Sequence, residues 1–174
     1  MAKISLNKLN LKVDESIKTL KFNDQDIEIK QYLPVNDKLN LISAVINESA
    51  DDLKFYNVGK LEIFKTIEII KNYTNINFTD KQLEDIPKLY DLLVSCGLAD
   101  EIINQIPEVE VSWIDDVLMN TVSSIYKYQN SIMGILDTVT TDYKDLNFDV
   151  SELQKNISNP ENLTLLKDVV TKLG

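Results

Sequence analysis

The chain has 174 residues, of which 44% are hydrophobic and 26% are charged, and this composition is typical of a globular protein. Its formal net charge of −10 argues against binding to nucleic acid, because a DNA-binding surface must neutralise phosphates. It contains no histidine, the usual proton shuttle, and no arginine, the preferred phosphate clamp. The composition therefore favours a binding or assembly protein over an enzyme.

The sequence also indicates where the protein resides. No stretch approaches the roughly 18 consecutive apolar residues of a membrane span. Residues 1–5 lack the apolar core of a signal peptide. A single cysteine, Cys96, excludes an internal disulfide. We therefore expect a cytoplasmic protein that has no contact with a membrane.

The N-terminal part predicts a β-hairpin behind an irregular arm. Residues 1–16 mix Lys, Asn and isolated aliphatic residues, which predicts a poorly ordered arm or a short strand. Residues 26–30 alternate strictly between polar and apolar, as a half-buried strand does. Asn23 and Asp24 precede this strand and favour a turn. An isolated hairpin is only marginally stable, so this one must pack on helices or on another chain.

The pattern after Pro34 predicts helices almost to the end of the chain. Asn36 and Asn57 are predicted to cap the first two. Thr79 and Gln82 form a capping box for a third, and Pro87 is predicted to break that stretch before it restarts over 88–96. Gly97 then suits a helix end that needs a positive φ, and a brief helix follows over 99–105. The buried face of the first helix is predicted to contain Leu39, Ile42, Val45 and Ile46.

The longest helix is predicted over about 113–143. Its apolar residues spread more widely than one face, which predicts a central helix contacted on several sides. Shorter helices are predicted from about 149 to 157 and over 161–173. The predicted fold is mainly α, a helical bundle around this long helix with a small N-terminal β-hairpin. The predicted boundary near Pro34 separates an arm and hairpin, 1–33, from a helical domain, 34–174.

Carboxylate pairs are the main candidates for chemistry. They are adjacent in sequence, so on a helix the two side chains diverge by about 100° instead of facing one cleft. Each pair lies near a helix start, where the helix dipole favours negative charge. Without a Gly-rich loop, an EF-hand pattern or clustered Cys and His, we expect no catalytic, cofactor or metal-binding residues. The pairs are Asp51-Asp52, Glu84-Asp85 and Asp115-Asp116.

Two side chains have alternative interpretations. Cys96 lies on an apolar stripe with Leu92, Leu93 and Leu98, which predicts a buried cysteine in the core; as a nucleophile it would need a base that the chain lacks. Trp113 at the predicted start of the long helix fits either an interface anchor or a core residue. Both interpretations of Trp113 remain open at the level of sequence.

Three segments resemble small proteins of tailed phages and prophages of low-GC Gram-positive bacteria. They are residues 17–34, where a hairpin leads into an acidic helical body, and residues 71–79 and 126–136. The functional class that this resemblance suggests is the tail assembly chaperone. Members of that class are small, acidic and mostly helical, and they hold the tape measure protein soluble until the tail tube polymerises around it. The hairpin departs from the usual phage pattern because Asp24 replaces the glycine after Asn23.

The resemblance implies a non-enzymatic protein in the host cytoplasm, or in the virion, whose partner is a phage tail or other virion protein. The class has no catalytic residues, and the sequence is compatible with a homo-oligomer. Alternatives are a structural neck or head–tail joining protein, whose hairpin augments a neighbouring sheet, and a phage inhibitor of a host defence protein. The predicted partner-binding residues are Phe22, Ile27, Ile29, Tyr32, Trp113 and Tyr126.

Overall fold

The computed structural model describes residues 3–51, 56–131 and 134–135. It confirms a mainly helical fold with a two-stranded antiparallel N-terminal hairpin. The strands are β1 (Ile17–Phe22) and β2 (Gln25–Lys30). The α-helices are α1 (Val35–Ser49), α2 (Val58–Tyr73), α3 (Asp80–Leu83), α4 (Ile86–Ser95), α5 (Leu98–Ile103) and α6 (Glu108–Gln129).

The hairpin forms as predicted around a two-residue turn. Asn23 and Asp24 have φ values of 47° and 62°, the left-handed pair that a tight turn between twisted strands requires. Because side chains alternate across a strand, β2 directs Ile27 and Ile29 into the core while its neighbours stay exposed. In the arm before β1, a 3-10 helix at Leu6–Leu9 replaces the short strand considered above.

The buried face of α1 differs from the predicted face. It consists of Lys38, Leu41, Ile42, Val45 and Ser49, whereas Leu39 is 45% exposed. The prediction followed apolar residues only and so excluded a buried lysine. The predicted Asn36 cap is also wrong, because the helix is entered at Pro34, whose carbonyl accepts the Lys38 N–H at 3.0 Å.

The start of α2 confirms the sequence prediction, since the Asn57 side chain accepts the N–H groups of Gly59 and Lys60. α2 packs along α1 and also against α4 and α5. The predicted capping contact of α3 is present, with the Gln82 side chain accepting the Thr79 N–H at 2.9 Å.

The first turn of α4 contains Pro87 without a break, which corrects the prediction of a restart at residue 88. Proline is tolerated there because the first N–H groups of a helix have no intrahelical partner. The Asp85 carboxylate accepts the Lys88 N–H at 3.3 Å and so caps the helix. Gly97 has φ +78° and turns the chain into α5, as predicted.

α6 begins at Glu108 and ends at Gln129, so the predicted range 113–143 is wrong at its start. The helix begins earlier because the Pro107 carbonyl accepts the Glu110 N–H at 2.9 Å and acidic residues favour a first turn. It ends where the Ser131 hydroxyl donates to the Tyr128 carbonyl at 2.6 Å and competes for the helix's acceptors. The predicted helical residues 132–133 and 136–143 lie outside the described residues.

The buried residues of α6 form one stripe, in contrast to the predicted central helix contacted on several sides. They are spaced four apart, so they share one face of the helix. They are Glu110, Ile114, Leu118 and Val122.

The chain divides into two compact units, at 1–123 and 124–174. The hairpin belongs to the first unit because Ile27, Ile29 and Leu33 lie in its core. The predicted boundary between 1–33 and 34–174 is therefore not a boundary between compact units. The predicted helices from about 149 to 157 and over 161–173 lie outside the described residues.

Candidate functional site

A buried carboxylate joins three elements of the first unit. Glu110, in the first turn of α6, is only 6% exposed. One of its oxygens accepts a hydrogen bond from the Lys38 ammonium at 2.7 Å. Its other oxygen accepts the Leu33 N–H at 3.0 Å and the Tyr73 hydroxyl at 2.9 Å. Glu110 therefore fixes the exit of the hairpin, the start of α1 and the end of α2 at one point.

Lys38 completes this cluster as its buried cation. It is 6% exposed, and its ammonium lies 4.6 Å from the centroid of the Tyr32 ring and 5.2 Å from that of the Trp113 ring. Aromatic faces attract a cation within about 6 Å of their centroid. The two rings and the Glu110 carboxylate together replace the water that an exposed lysine would have.

Tyr73 is held in its protonated form. Burial raises the pKa of the Tyr73 hydroxyl far above its ordinary value, because the phenolate would be desolvated. The hydrogen bond to Glu110 and the negative charge of that carboxylate raise this pKa further. Tyr73 is therefore a fixed donor and does not act as a base. With three donors bound to Glu110, the cluster is a structural junction whose charges are already paired.

A second ion pair connects α2 to α6 nearer the surface. The Lys65 ammonium lies 2.9 Å from Asp115 and 2.8 Å from Glu62. Burial lowers the pKa of Lys65, but its hydrogen bonds to both carboxylates outweigh burial, and the net shift is upward. The carboxylates are about half exposed, so this pair is a natural comparison for the buried one.

Apolar side chains lie exposed beside the buried junction. Val35 and Leu39 are one turn apart on α1, and Val109 and Trp113 are one turn apart on α6. The two helices are joined there by the Lys38–Glu110 pair. Val109 is 72% exposed, Val35 51% and Leu39 45%, while the rings of Tyr32 and Trp113 are half-buried. We call this set of five residues the junction surface: Tyr32, Val35, Leu39, Val109 and Trp113.

Acidic side chains accompany the junction surface. Glu108 and Asp116 on α6 are exposed; Glu108 precedes Val109, and Asp116 lies three residues after Trp113 on the same face of the helix. Such a surface, apolar with a negative border, is suited to a partner that offers apolar groups beside positive charge.

The predicted partner-binding residues separate into three groups in the structure. Tyr32 and Trp113 come together around Lys38. Ile27 and Ile29 are buried at 6% and 0% exposure, so the prediction that they contact a partner does not fit the folded unit. Two residues are half-buried elsewhere: Phe22 at the end of β1 and Tyr126 in the last turns of α6, within the second unit.

The sequence interpretation missed Lys38, Tyr73 and Glu110. A signal existed, since Lys38 shares a helical face with Ile42 and Val45, and Glu110 lies four residues before Ile114. One lysine and one glutamate on two mainly apolar stripes indicate a buried ion pair.

Other chemistry is sparse in the described part of the chain. Cys96 is exposed, which corrects its predicted place in the core: α4 ends at Ser95, and its buried face stops at Leu93. Within residues 3–51, 56–131 and 134–135, no three or more Cys, Asp or Glu side chains are grouped to hold a metal ion. No helix of the described residues combines the length and the apolar character needed to cross a membrane.

Comparison of the chain with protein-family models, with curated proteins and with solved structures finds no match.

Proposed function

We propose that this protein is a non-enzymatic phage morphogenesis protein that acts in the host cytoplasm as a tail assembly chaperone. Its client is the tape measure protein, which it keeps soluble until the tail tube assembles. The observation that carries the proposal is the junction surface, a set of exposed and half-buried apolar side chains beside the buried ion pair that joins α1 and α6.

The physical basis is complementarity with a long helical client. A client helix with apolar and basic residues buries its apolar stripe against Val35, Leu39 and Val109. Its lysines and arginines then face the carboxylates of Glu108 and Asp116. The half-buried rings of Tyr32 and Trp113 supply the aromatic anchors that are typical of binding surfaces.

Co-expression with the tape measure protein of the same phage tests the proposal. We expect the two proteins to co-purify, and purified virions to lack this chain. The double substitution Leu39→Lys with Val109→Lys places positive charge on the junction surface and should abolish co-purification. Leu92→Lys is the matched control, because Leu92 is 58% exposed on α4 and outside that surface. A double variant that binds the client as well as the control does would contradict the proposal.

A structural neck or head–tail joining protein is the second candidate. It is favoured by the outer edge of β1, to which no described residue is hydrogen-bonded through the backbone. This candidate predicts a fixed number of copies in each purified virion. Quantitative mass spectrometry of particles therefore distinguishes it from a chaperone, which leaves before the particle is complete.

A further inference from the structure

The two edges of the hairpin differ in how they are covered. On the outer edge of β2, Glu28 and Asn75 are joined by two hydrogen bonds, and Ile29 forms a bridge with Thr74. Directly before β1, the Ser16 carbonyl accepts the Gln31 N–H at 3.1 Å, and this bond shows which residues of β1 are hydrogen-bonded to β2. The even-numbered residues of β1 therefore direct their backbone groups toward β2.

The odd-numbered residues of β1 direct their backbone groups outward. Among the described residues, nothing accepts from or donates to the backbone of Ile17, Thr19 or Lys21. Ile17 is also 55% exposed on this edge. An open strand edge with an exposed apolar side chain is a template for pairing with another strand.

The arm that leads into this edge is exposed over its whole described length, residues 3–16. Its apolar side chains Ile4, Leu6, Leu9, Leu11 and Val13 are each more than half exposed. Residues 1–21 hold five of the 18 lysines and two of the 28 acidic residues, so they carry +3 while the remainder carries −13. The segment thus differs from the rest of the protein in the sign of its charge, and no described residue buries the apolar side chains of its arm.

We propose that β1 pairs with β1 of a second copy of this chain, antiparallel and centred on Ile17, to form a four-stranded sheet in a two-fold dimer. This register makes Ile17 a hydrogen-bonded pair with Ile17 of the copy, as its outward backbone groups require. It also pairs Glu15 with Thr19 and Val13 with Lys21. The end of the arm thereby becomes part of the ladder.

The sequence around Ile17 is complementary to itself in this register. Lys21 of one copy lies diagonal to Glu15 of the other, on the same face of the sheet, within reach of a long side chain. Lys18 lies opposite Ser16, and although Lys18 of the copy is diagonal to it, no two like charges lie directly opposite each other. By contrast, a register centred one residue later, on Lys18, would place two lysines face to face. These pairings favour a second copy as the occupant of the edge over an unrelated strand.

Cysteine cross-linking tests both the partner and the register. In a Cys96→Ser background, Ile17→Cys would place two thiols on the two-fold axis. The Cα atoms of such a pair are about 5.5 Å apart, within the range that a disulfide spans. Thr19→Cys in the same background is the matched control, because its two Cα atoms would be offset by roughly 13 Å along the strands.

We expect the Ile17 variant to form covalent dimers under mild oxidation and the Thr19 variant to remain monomeric on a non-reducing gel. A preference for cross-linking at Thr19 would overturn the register. A wild-type chain that sediments as a monomer up to about 1 mM would overturn the dimer, because association weaker than that leaves the edge free.

Charge exchange provides an independent measurement. Lys21→Glu should weaken the dimer by about tenfold, since it removes both diagonal pairs and adds repulsion. Adding Glu15→Lys restores the pairs with their signs exchanged and should restore the affinity. Lys60→Glu makes the same change of charge at an exposed position of α2 and is the control. If the double variant dimerises as weakly as Lys21→Glu alone, the proposed pairing of Glu15 with Lys21 is contradicted. The dimer does not depend on the proposed client, so either proposal can fail without the other.

Discussion

Removing one charge of the buried Lys38–Glu110 pair should lower the free energy of unfolding far more than removing both charges. Glu110→Gln keeps the shape and a carbonyl acceptor for the Leu33 N–H or the Tyr73 hydroxyl. It leaves the Lys38 ammonium, 6% exposed, with only two aromatic faces as compensation. Breaking a buried pair in this way typically costs about 3–5 kcal/mol. Since domains unfold at a cost of about 5–15 kcal/mol, the variant loses roughly a fifth of its stability or more.

The double variant Lys38→Met with Glu110→Gln removes the unpaired charge and keeps the aliphatic stem between the rings. We expect it to be more stable than either single variant, because replacing both charges of a buried pair is often nearly neutral. Urea unfolding followed by tryptophan fluorescence is the suitable assay, since Trp113 is the one tryptophan and lies beside Lys38.

The surface pair calibrates the measurement. Asp115→Asn breaks an ion pair of nearly equal length, 2.9 Å, with a carboxylate that is 43% exposed. Screening by water limits its loss to about 0.2–1 kcal/mol. If Glu110→Gln lowers the free energy of unfolding no more than Asp115→Asn does, burial does not make the Lys38–Glu110 pair important. The same conclusion follows if the effects of Glu110→Gln and Lys38→Met simply add in the double variant.

Three further predictions concern single side chains. Ser49→Ala should stabilise the protein by about 1 kcal/mol in urea unfolding, because the Ser49 hydroxyl is fully buried and is the one such side-chain group without a hydrogen bond among the described residues. Asp24→Gly should raise the free energy of unfolding by a similar amount, because Asp24 has φ +62° in a turn that favours Asn-Gly. If the variant is no more stable than the wild type, the turn assignment is refuted. Tyr73 has a raised folded pKa, so its contribution is complete below the unfolded pKa of about 10 and is lost as pH rises toward the folded one. Tyr73→Phe should therefore lower stability at pH 7 but flatten the decline of stability above about pH 10, as measured by urea unfolding at both pH values.

Local signals in the sequence predict local structure well here. The alternation in β2 and the cap at Asn57 each need only a few neighbouring residues, and both are confirmed. The starts of α1 and α6 were misplaced because Asn36 matches a cap pattern and Trp113 fits a helix start, whereas the two helices begin directly after Pro34 and Pro107. These errors moved predicted boundaries without changing the fold class.

The candidate site could not be predicted to the same extent, because it depends on contacts far apart in the chain. Lys38 and Glu110 are separated by 72 residues, and Tyr73 lies between them. Each charge could be suspected from its apolar helical stripe, but only the packing of α1, α2 and α6 identifies the partner. Trp113 and Tyr32 were predicted as binding residues without any indication that Lys38 brings them together.

The junction also determines whether the two proposed surfaces can be separated by experiment. Glu110 accepts the Leu33 N–H, three residues after β2 ends, so a single-charge variant should disturb the hairpin and the junction surface together. Substitutions at Val109 or Lys21 affect exposed side chains and leave the buried pair intact. If the two functions are independent, a Val109 variant loses the client but still forms dimers, and a Lys21 variant shows the reverse. Loss of both activities in either variant would mean that client and second copy share one surface, because the buried Lys38–Glu110 pair would be unchanged.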